Sequence, residues 1–323
     1  MKNIALVGSN FGLRGYLPVI QSIKNLDLKI ICSRDQNKIS KTILKNVHYV
    51  NNWKKIFKKN IDIIILAVPP KLQEEIILFN LKYKKKIIFE KPISTNYKTS
   101  KKIIEKIKKN KIKAEINLTY LNHTLFEKVK KIIKKSKFGQ VINYKIYWDF
   151  VSIDFNKKKK SWKTNERQGG GIKNIFLSHV LSYCEFFFGK TVLKSSQVKK
   201  SKFKGLNFKR YIFLNLINSR NINGNVLLNT KKNGHQNHKI EINFERGKVI
   251  LFTKSKDWTK NFVLKIYNNN NNLVEKYRQI SKKKFKDGRS YQIYSMIKKF
   301  LNRPNYKNIN YCLNSEIINK KIK

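Results

Sequence analysis

Short unbroken apolar runs alternate with amphipathic stretches through the first 92 residues, and this pattern constrains the fold more than any other feature of the chain. Residues 3–8, 28–32, 47–50, 62–68 and 86–89 read as strands, and 13–24, 53–59 and 72–82 as helices between them. A strand that is apolar on both sides has to be covered on both faces. Strands of that kind separated by helices predict a parallel sheet sandwiched between helical layers. Residues 97–110 continue the pattern as a helix with Ile103, Ile104 and Ile107 at helical spacing, and 114–118 as a further strand.

Beyond about residue 120 the pattern changes. An amphipathic helix over 125–134 ends at the Phe138-Gly139 turn and leads into a long strand over 141–150. A loop over 156–171 and a helix over 172–188 follow. Residues 192–267 read mostly as strands, with turn signals at Asn223-Gly224 and Asn233-Gly234 and a low-complexity loop at 268–272. A late helix over 290–301 carries Ile293, Met296, Ile297 and Phe300 on one face. The expected fold is α/β: a doubly wound parallel sheet over residues 1–119, then an α+β domain over 120–323 built on a largely antiparallel sheet. At 323 residues the chain has the length for two such cores.

Composition sets bounds on the class. No apolar run approaches the roughly 20 residues of a membrane span, and the N-terminus lacks the apolar core of a signal peptide, so a cytoplasmic protein without a membrane partner is expected. Cys32, Cys184 and Cys312 lie far apart with no CxxC pair, which points to buried thiols and to no metal centre. The net charge of +53 raises nucleic acid as a partner. Only nine of the 72 basic residues are Arg, however, and the lysines are spread over the whole chain among many Ile and Asn. Drift toward A/T-rich codons explains that better than recognition does, so no specific nucleic-acid partner is expected.

Three segments carry chemistry. The first strand runs into Gly8-Ser9-Asn10-Phe11-Gly12, where a dinucleotide site needs glycines for a tight turn and for close approach of the phosphates. Asn10 stands at the middle glycine of GxGxxG, and Asn tolerates left-handed backbone. The second strand ends at Cys32-Ser33-Arg34-Asp35. A hydroxyl and a guanidinium there suit a 2′-phosphate and favour NADP over NAD; the other reading makes Arg34 a surface residue and Asp35 the ribose ligand. The strand over 86–89 closes on Glu90-Lys91-Pro92, at the end of a parallel strand where ligands bind. A lysine there orients and polarises a substrate hydroxyl, and Glu90 anchors the nicotinamide ribose.

Together these segments resemble the Gfo/Idh/MocA family of sugar and polyol oxidoreductases over nearly the whole chain. The resemblance rests on the Gly8–Gly12 turn, Leu17-Pro18, Ala67-Val68-Pro69 and Glu90-Lys91-Pro92. In the second half it rests on Phe138-Gly139, Trp162-Lys163-Thr164, Gly169-Gly170-Gly171 and Ser178-His179. It implies a Rossmann domain binding NADP or NAD through Gly8, Asn10, Phe11, Gly12, Ser33, Arg34, Val68, Pro69, Glu90 and Lys91. It further implies hydride transfer at a sugar, nucleotide-sugar or polyol carbon, with Lys91 and His179 catalytic and Asn117, Tyr120 and Trp162 beside the substrate. A homo-oligomer is expected by the same analogy. The chain departs from the family pattern at Ile175, where Asp or Asn is usual four residues before the His and Asn174 is one position off. It departs again at Leu177, at Tyr183, and at Gln73, where His is common. The change at Ile175 motivates an alternative: a catalytically impaired cofactor-binding sensor or partner protein on the same fold.

Overall fold

The computed structural model describes residues 1–152, 154, 161–203, 206–231, 236–280 and 285–322. The chain divides into two compact units, Met1–Leu118 with Lys283–Leu313, and Thr119–Lys282 with Asn314–Lys323. In chain order the first strands are β1 (Lys2–Val7), β2 (Leu26–Cys32), β3 (His48–Val50), β4 (Ile63–Leu66), β5 (Lys86–Glu90), β6 (Ala114–Asn117) and β7 (Val141–Val151). They are followed by β8 (Thr191–Phe203), β9 (Leu206–Asn218), β10 (Asn223–Lys231), β11 (Asn237–Phe244), β12 (Gly247–Thr253), β13 (Val263–Tyr267) and β14 (Leu273–Arg278). The α-helices are α1 (Leu17–Ser22), α2 (Lys41–Leu44), α3 (Pro70–Asn80), α4 (Tyr97–Lys109), α5 (Thr124–Lys135), α6 (Ser178–Phe188), α7 (Arg289–Asn302) and α8 (Lys307–Lys321).

In the first unit six strands form one sheet in the order β3-β2-β1-β4-β5-β6, every pair parallel. The chain winds outward from β1 to β3, then crosses to β4 and winds the other way. Strand order therefore reverses between β1 and β4, and a reversal of this kind opens a crevice at the carboxyl ends of the strands. Sequence explains the helices flanking the sheet. In α4, Asn96 caps the first turn by accepting the Thr99 amide at 3.0 Å, and Lys106, Lys108 and Lys109 suit the negative end of the helix dipole. Ile103, Ile104 and Ile107 bury the intervening stripe.

The domain expectation needs one correction. Residues 283–313 belong to the first unit, not the second. The reason is the apolar face of α7: Ile293, Met296, Ile297 and Phe300 are buried in one core with Ile4, Leu6, Val19, Ile20 and Ile65.

The second unit holds an eight-stranded sheet, β14-β13-β12-β11-β7-β10-β9-β8, antiparallel except for the β7–β10 pair. Burial alternates strictly along β11, as it must where one face is packed and the other open. The packed face is aromatic: Tyr144 stacks on Phe188 of α6 at 4.2 Å, and Phe150 on Phe176 at 4.0 Å.

Several local expectations change. Residues 13–24 are not one helix; a π turn over Gly12–Tyr16 leads into the shorter α1. Trp53–Lys58 is a 3-10 segment. The helix expected over 172–188 is a π turn, Lys173–Leu177, followed by α6. Asn223-Gly224 opens strand β10 rather than making a turn, because the Tyr144 ring lies where a Cβ on Gly224 would stand. Asn233-Gly234 and residues 156–160 of the expected loop lie outside the described residues, while Trp162–Thr164 and Glu166–Gln168 form short 3-10 turns. Strand β14 and helix α8 had no expectation.

Candidate active site

The turn after β1 is shaped by proximity to β4. Gly8 takes φ +113°, and a Cβ there would collide with the Ala67 carbonyl. Its amide donates to the Cys32 carbonyl at 2.9 Å, which locks the turn to the end of β2. Asn10 is exposed and its carbonyl accepts the Arg14 amide at 3.3 Å, starting the helical segment. Gly12 is buried, but a Cβ would meet only Leu6 and Ala67 side-chain carbons at 3.5–3.6 Å.

Ser33 is buried and gives its hydroxyl to Ser9 at 2.8 Å, so the end of β2 is tied directly to the glycine turn. Arg34 beside it is exposed. Asp35 uses its carboxylate to cap the next turn, accepting the Asn37 amide at 3.0 Å and pairing with Lys38 at 3.5 Å. Val68 and Pro69, half-buried, line the way from β4 into α3. A cradle closed to any side chain at Gly8, with a hydroxyl and a guanidinium at the end of the next strand, fits a dinucleotide.

At the ends of β5 and β6, Glu90 and Asn117 stand in register on neighbouring strands. The Glu90 carboxylate accepts the Tyr16 hydroxyl at 2.6 Å and the Asn117 amide at 2.8 Å. Burial raises the Glu90 carboxyl above its usual range; the two hydrogen bonds and the charges of Lys91 and Arg289 oppose that shift. Burial, then Glu90 itself, pushes the Tyr16 phenol well above its ordinary value, so it stays a donor. Asn117 is 1% exposed, and its Oδ1 has no hydrogen-bond partner among the described residues.

The peptide that carries Lys91 is held by Gln73. This buried side chain donates to the carbonyls of Glu90, Pro92 and Ile93 at 2.7–3.0 Å and accepts the Glu90 amide at 2.9 Å. The clamp grips both sides of Lys91, whose bond to Pro92 is cis. In the sequence Gln73 stands out only as a departure, and Tyr16 does not stand out at all. Neither has a motif of its own, since their partners lie 17 and 74 residues away.

His179 lies in the first turn of α6, 3% exposed, and belongs to the second unit while Lys91 belongs to the first. Its ring meets the Tyr120 ring edge-on at 5.5 Å. Tyr120 is itself buried and donates to the Trp258 carbonyl at 3.1 Å, within a box that includes His238 at 5.2 Å and Phe126 at 5.1 Å. Tyr183, one turn along α6, shares a 3.0 Å hydrogen bond with His238. Burial drives His238 down to about 3 and His123 down to about 4, so both are neutral imidazoles.

The glycines before His179 are explained by packing. A Cβ on Gly170 would overlap the Trp162 carbonyl, so the half-buried Trp162 turn and the triple glycine lie backbone against backbone. Asn174 donates to the Gly170 carbonyl at 2.9 Å. Ile175 is half-buried in the π turn and Leu177 fully buried. The π turn closes with the amide of Ser178, one residue before His179, donating to the Lys173 carbonyl.

Comparison with known proteins agrees with this geometry. Residues 2–118 match an oxidoreductase family with an NAD-binding Rossmann fold, and residues 126–250 match the Gfo/Idh/MocA C-terminal domain. An uncharacterised oxidoreductase of Schizosaccharomyces pombe is 26% identical over 141 residues, 44% of this chain; the matched stretch spans 38% of that protein. Among solved structures, a 3-ketoreductase from Actinomadura kijaniata in complex with NADP and TDP-benzene superposes with a TM-score of 0.80 at 13% identity, covering 99% of this chain and 96% of the other. An NAD-binding oxidoreductase from Klebsiella pneumoniae gives 0.82 at 13% identity, covering 99% and 95%. The chain belongs to the Gfo/Idh/MocA oxidoreductase family, an NAD-binding Rossmann domain joined to that family's C-terminal domain.

Proposed function

We propose that the protein is an NADP-preferring oxidoreductase of the cytoplasm that acts on a CH–OH or carbonyl carbon of a sugar, nucleotide-sugar or polyol. The observation that carries this reading is the rigid presentation of Lys91, gripped on both sides by Gln73 at the carboxyl end of a parallel strand. The Gly8–Gly12 turn, Val68 and Pro69 are assigned to hold the dinucleotide, Ser33 and Arg34 its adenosine end, and Glu90 and Lys91 its nicotinamide ribose. The nicotinamide, when bound, supplies or accepts the hydride at C4.

The chain's own residues handle binding and the proton. Lys91 donates to the substrate oxygen and stabilises negative charge on it. His179 takes the hydroxyl proton during oxidation and returns it during reduction. Tyr120 fixes the His179 ring edge-on, and Asn117 and Trp162 are assigned to the substrate pocket. Within this class nucleotide-sugars are favoured, because the similar Actinomadura protein is a 3-ketoreductase that holds TDP-benzene together with NADP.

Turnover of a panel of sugars, polyols and nucleotide-sugars with NADP and NADPH tests the reading. Lys91→Ala is expected to lower kcat/KM by about 100-fold or more on the best substrate. Equal turnover by both proteins removes Lys91 from the mechanism. Binding of cofactor with no turnover of any substrate by the wild type favours the sensor reading instead, for which Ile175 is the supporting residue. A homo-oligomer through the open face of the eight-stranded sheet completes the proposal. On that face Tyr147, Leu227 and Phe213 stand in register across three strands, and sedimentation velocity tests it.

A further inference from the structure

The glycine turn has a neighbour that no motif marks. Residues 285–302 return to the first unit, and the start of α7 meets the turn through an arginine. The Arg289 guanidinium lies over the Phe11 ring, 4.0 Å from its centroid. Asp287 grips the same guanidinium at both ends, from Nε to Oδ1 at 2.8 Å and from Nη2 to Oδ2 at 2.6 Å. The Asp287 side chain is 8% exposed and also takes Arg14 Nε at 2.9 Å. Ser290 ties the helix down by donating to the Gly15 carbonyl at 2.9 Å.

A structural staple alone needs only part of this arrangement. Two guanidinium groups, those of Arg14 and Arg289, share the one Asp287 carboxylate beside the turn. The Arg289 side chain keeps 26% of its surface exposed, and its charge acts on the Tyr16–Glu90 pair. Its plane is fixed by the ring beneath and the carboxylate beside it. The side-chain entropy normally lost when an arginine grips an anion is already lost here.

We propose that Arg289 is a ligand for the phosphate bridge of the dinucleotide, presented by Asp287 and Phe11, so that the C-terminal arm completes the cofactor site. This rests on the nicotinamide-dinucleotide reading above. The bridge is common to both cofactors, so Arg289 contributes to affinity without choosing between them, whereas Arg34 is assigned to the 2′-phosphate.

The test is affinity measured without turnover. NADH and NADPH are titrated by nicotinamide fluorescence and ADP-ribose by calorimetry, against wild type, Arg289→Ala, Arg289→Gln and Arg34→Ala. Loss of a charge-assisted contact predicts about tenfold or weaker binding of all three ligands in the Arg289 variants, and weaker binding of NADPH alone in Arg34→Ala. Arg289→Gln retains a donor for Asp287 and serves if Arg289→Ala does not fold, which circular dichroism reports. Wild-type affinity for the three ligands in either folded Arg289 variant overturns the assignment. So does a loss confined to NADPH. If the wild type binds none of the three, the cofactor reading falls as well.

Discussion

Gly8 and Gly12 look alike in the sequence, but their surroundings differ. Gly8→Ala would force a Cβ against the Ala67 carbonyl at a φ of +113°, whereas Gly12→Ala meets only side-chain carbons at ordinary contact distance. Gly8→Ala is expected to lower the melting midpoint by several degrees and to weaken cofactor binding; Gly12→Ala is expected to leave the midpoint within about a degree or two. Thermal melts followed by circular dichroism separate the two. Gln73→Leu keeps the bulk but strips the clamp from Glu90, Pro92 and Ile93. With about 1–3 kcal/mol for each buried group left unpaired, a loss of several kcal/mol of stability is expected in urea titrations. Gln73→His, which restores a donor, should recover part of it. The positions of Gly8, Ser33, Glu90 and Lys91 at strand ends are legible because each closes a short apolar strand. Those of Gln73 and Tyr16 are not, because their meaning lies in hydrogen bonds to residues brought near only by the parallel sheet.

Strands that are apolar throughout announced the first sheet, and their identities survive with shifts of one or two residues at the ends. The helical segments were less legible. Period alone does not separate an α-helix from a π turn followed by one, as in Gly12–Tyr16 and Lys173–Leu177. Asn223-Gly224 misled because the glycine serves the Tyr144 ring rather than a turn. The apolar stripe of α7 is plain in the sequence, but an amphipathic stripe does not say which core it enters. Met296→Ala is expected to destabilise the first unit by about 2–5 kcal/mol, since Met296 is buried with Ile4, Leu6 and Ile20. A matching change in the second unit is not expected. Fluorescence of Trp53, in the first unit, and of Trp148 and Trp258, in the second, reports the two separately when the other tryptophans are replaced by phenylalanine.

Across the two units, buried carboxyls and buried imidazoles respond to pH in opposite senses. In the first, burial pushes the Glu115 carboxyl from 4.5 to about 7. The folded state then holds a proton that the unfolded chain releases, so Glu115 favours folding at low pH, and that contribution is lost as pH rises from about 4.5 to 7. At roughly 1.4 kcal/mol per tenfold, about 3 kcal/mol is at stake, and Glu115→Gln should remove the slope. In the second unit, His123 and His238 fold as neutral rings with depressed values near 4 and 3. Their contribution is present above the unfolded value of 6.5 and is lost as pH falls toward those folded values. Glu185, whose carboxyl is raised by burial, opposes the two imidazoles of the second unit. With two depressed imidazoles against it, acidification from pH 7 to 5 is expected to weaken that unit while strengthening the first, which melts followed through the unit-specific tryptophans would reveal. Coincident shifts of the same sign in both units would exclude this assignment. The net charge of +53 is expected to give salt-sensitive, nonspecific attachment to polyanions, so binding studies need fixed ionic strength. The central claim is that this fold holds a nicotinamide dinucleotide at the Gly8 turn. Titration of the purified wild type with NADPH and NADH, read by nicotinamide fluorescence, tests it most directly. Saturable binding of NADPH below millimolar concentration, tighter than that of NADH, is the predicted result; no binding of either cofactor in that range would contradict it.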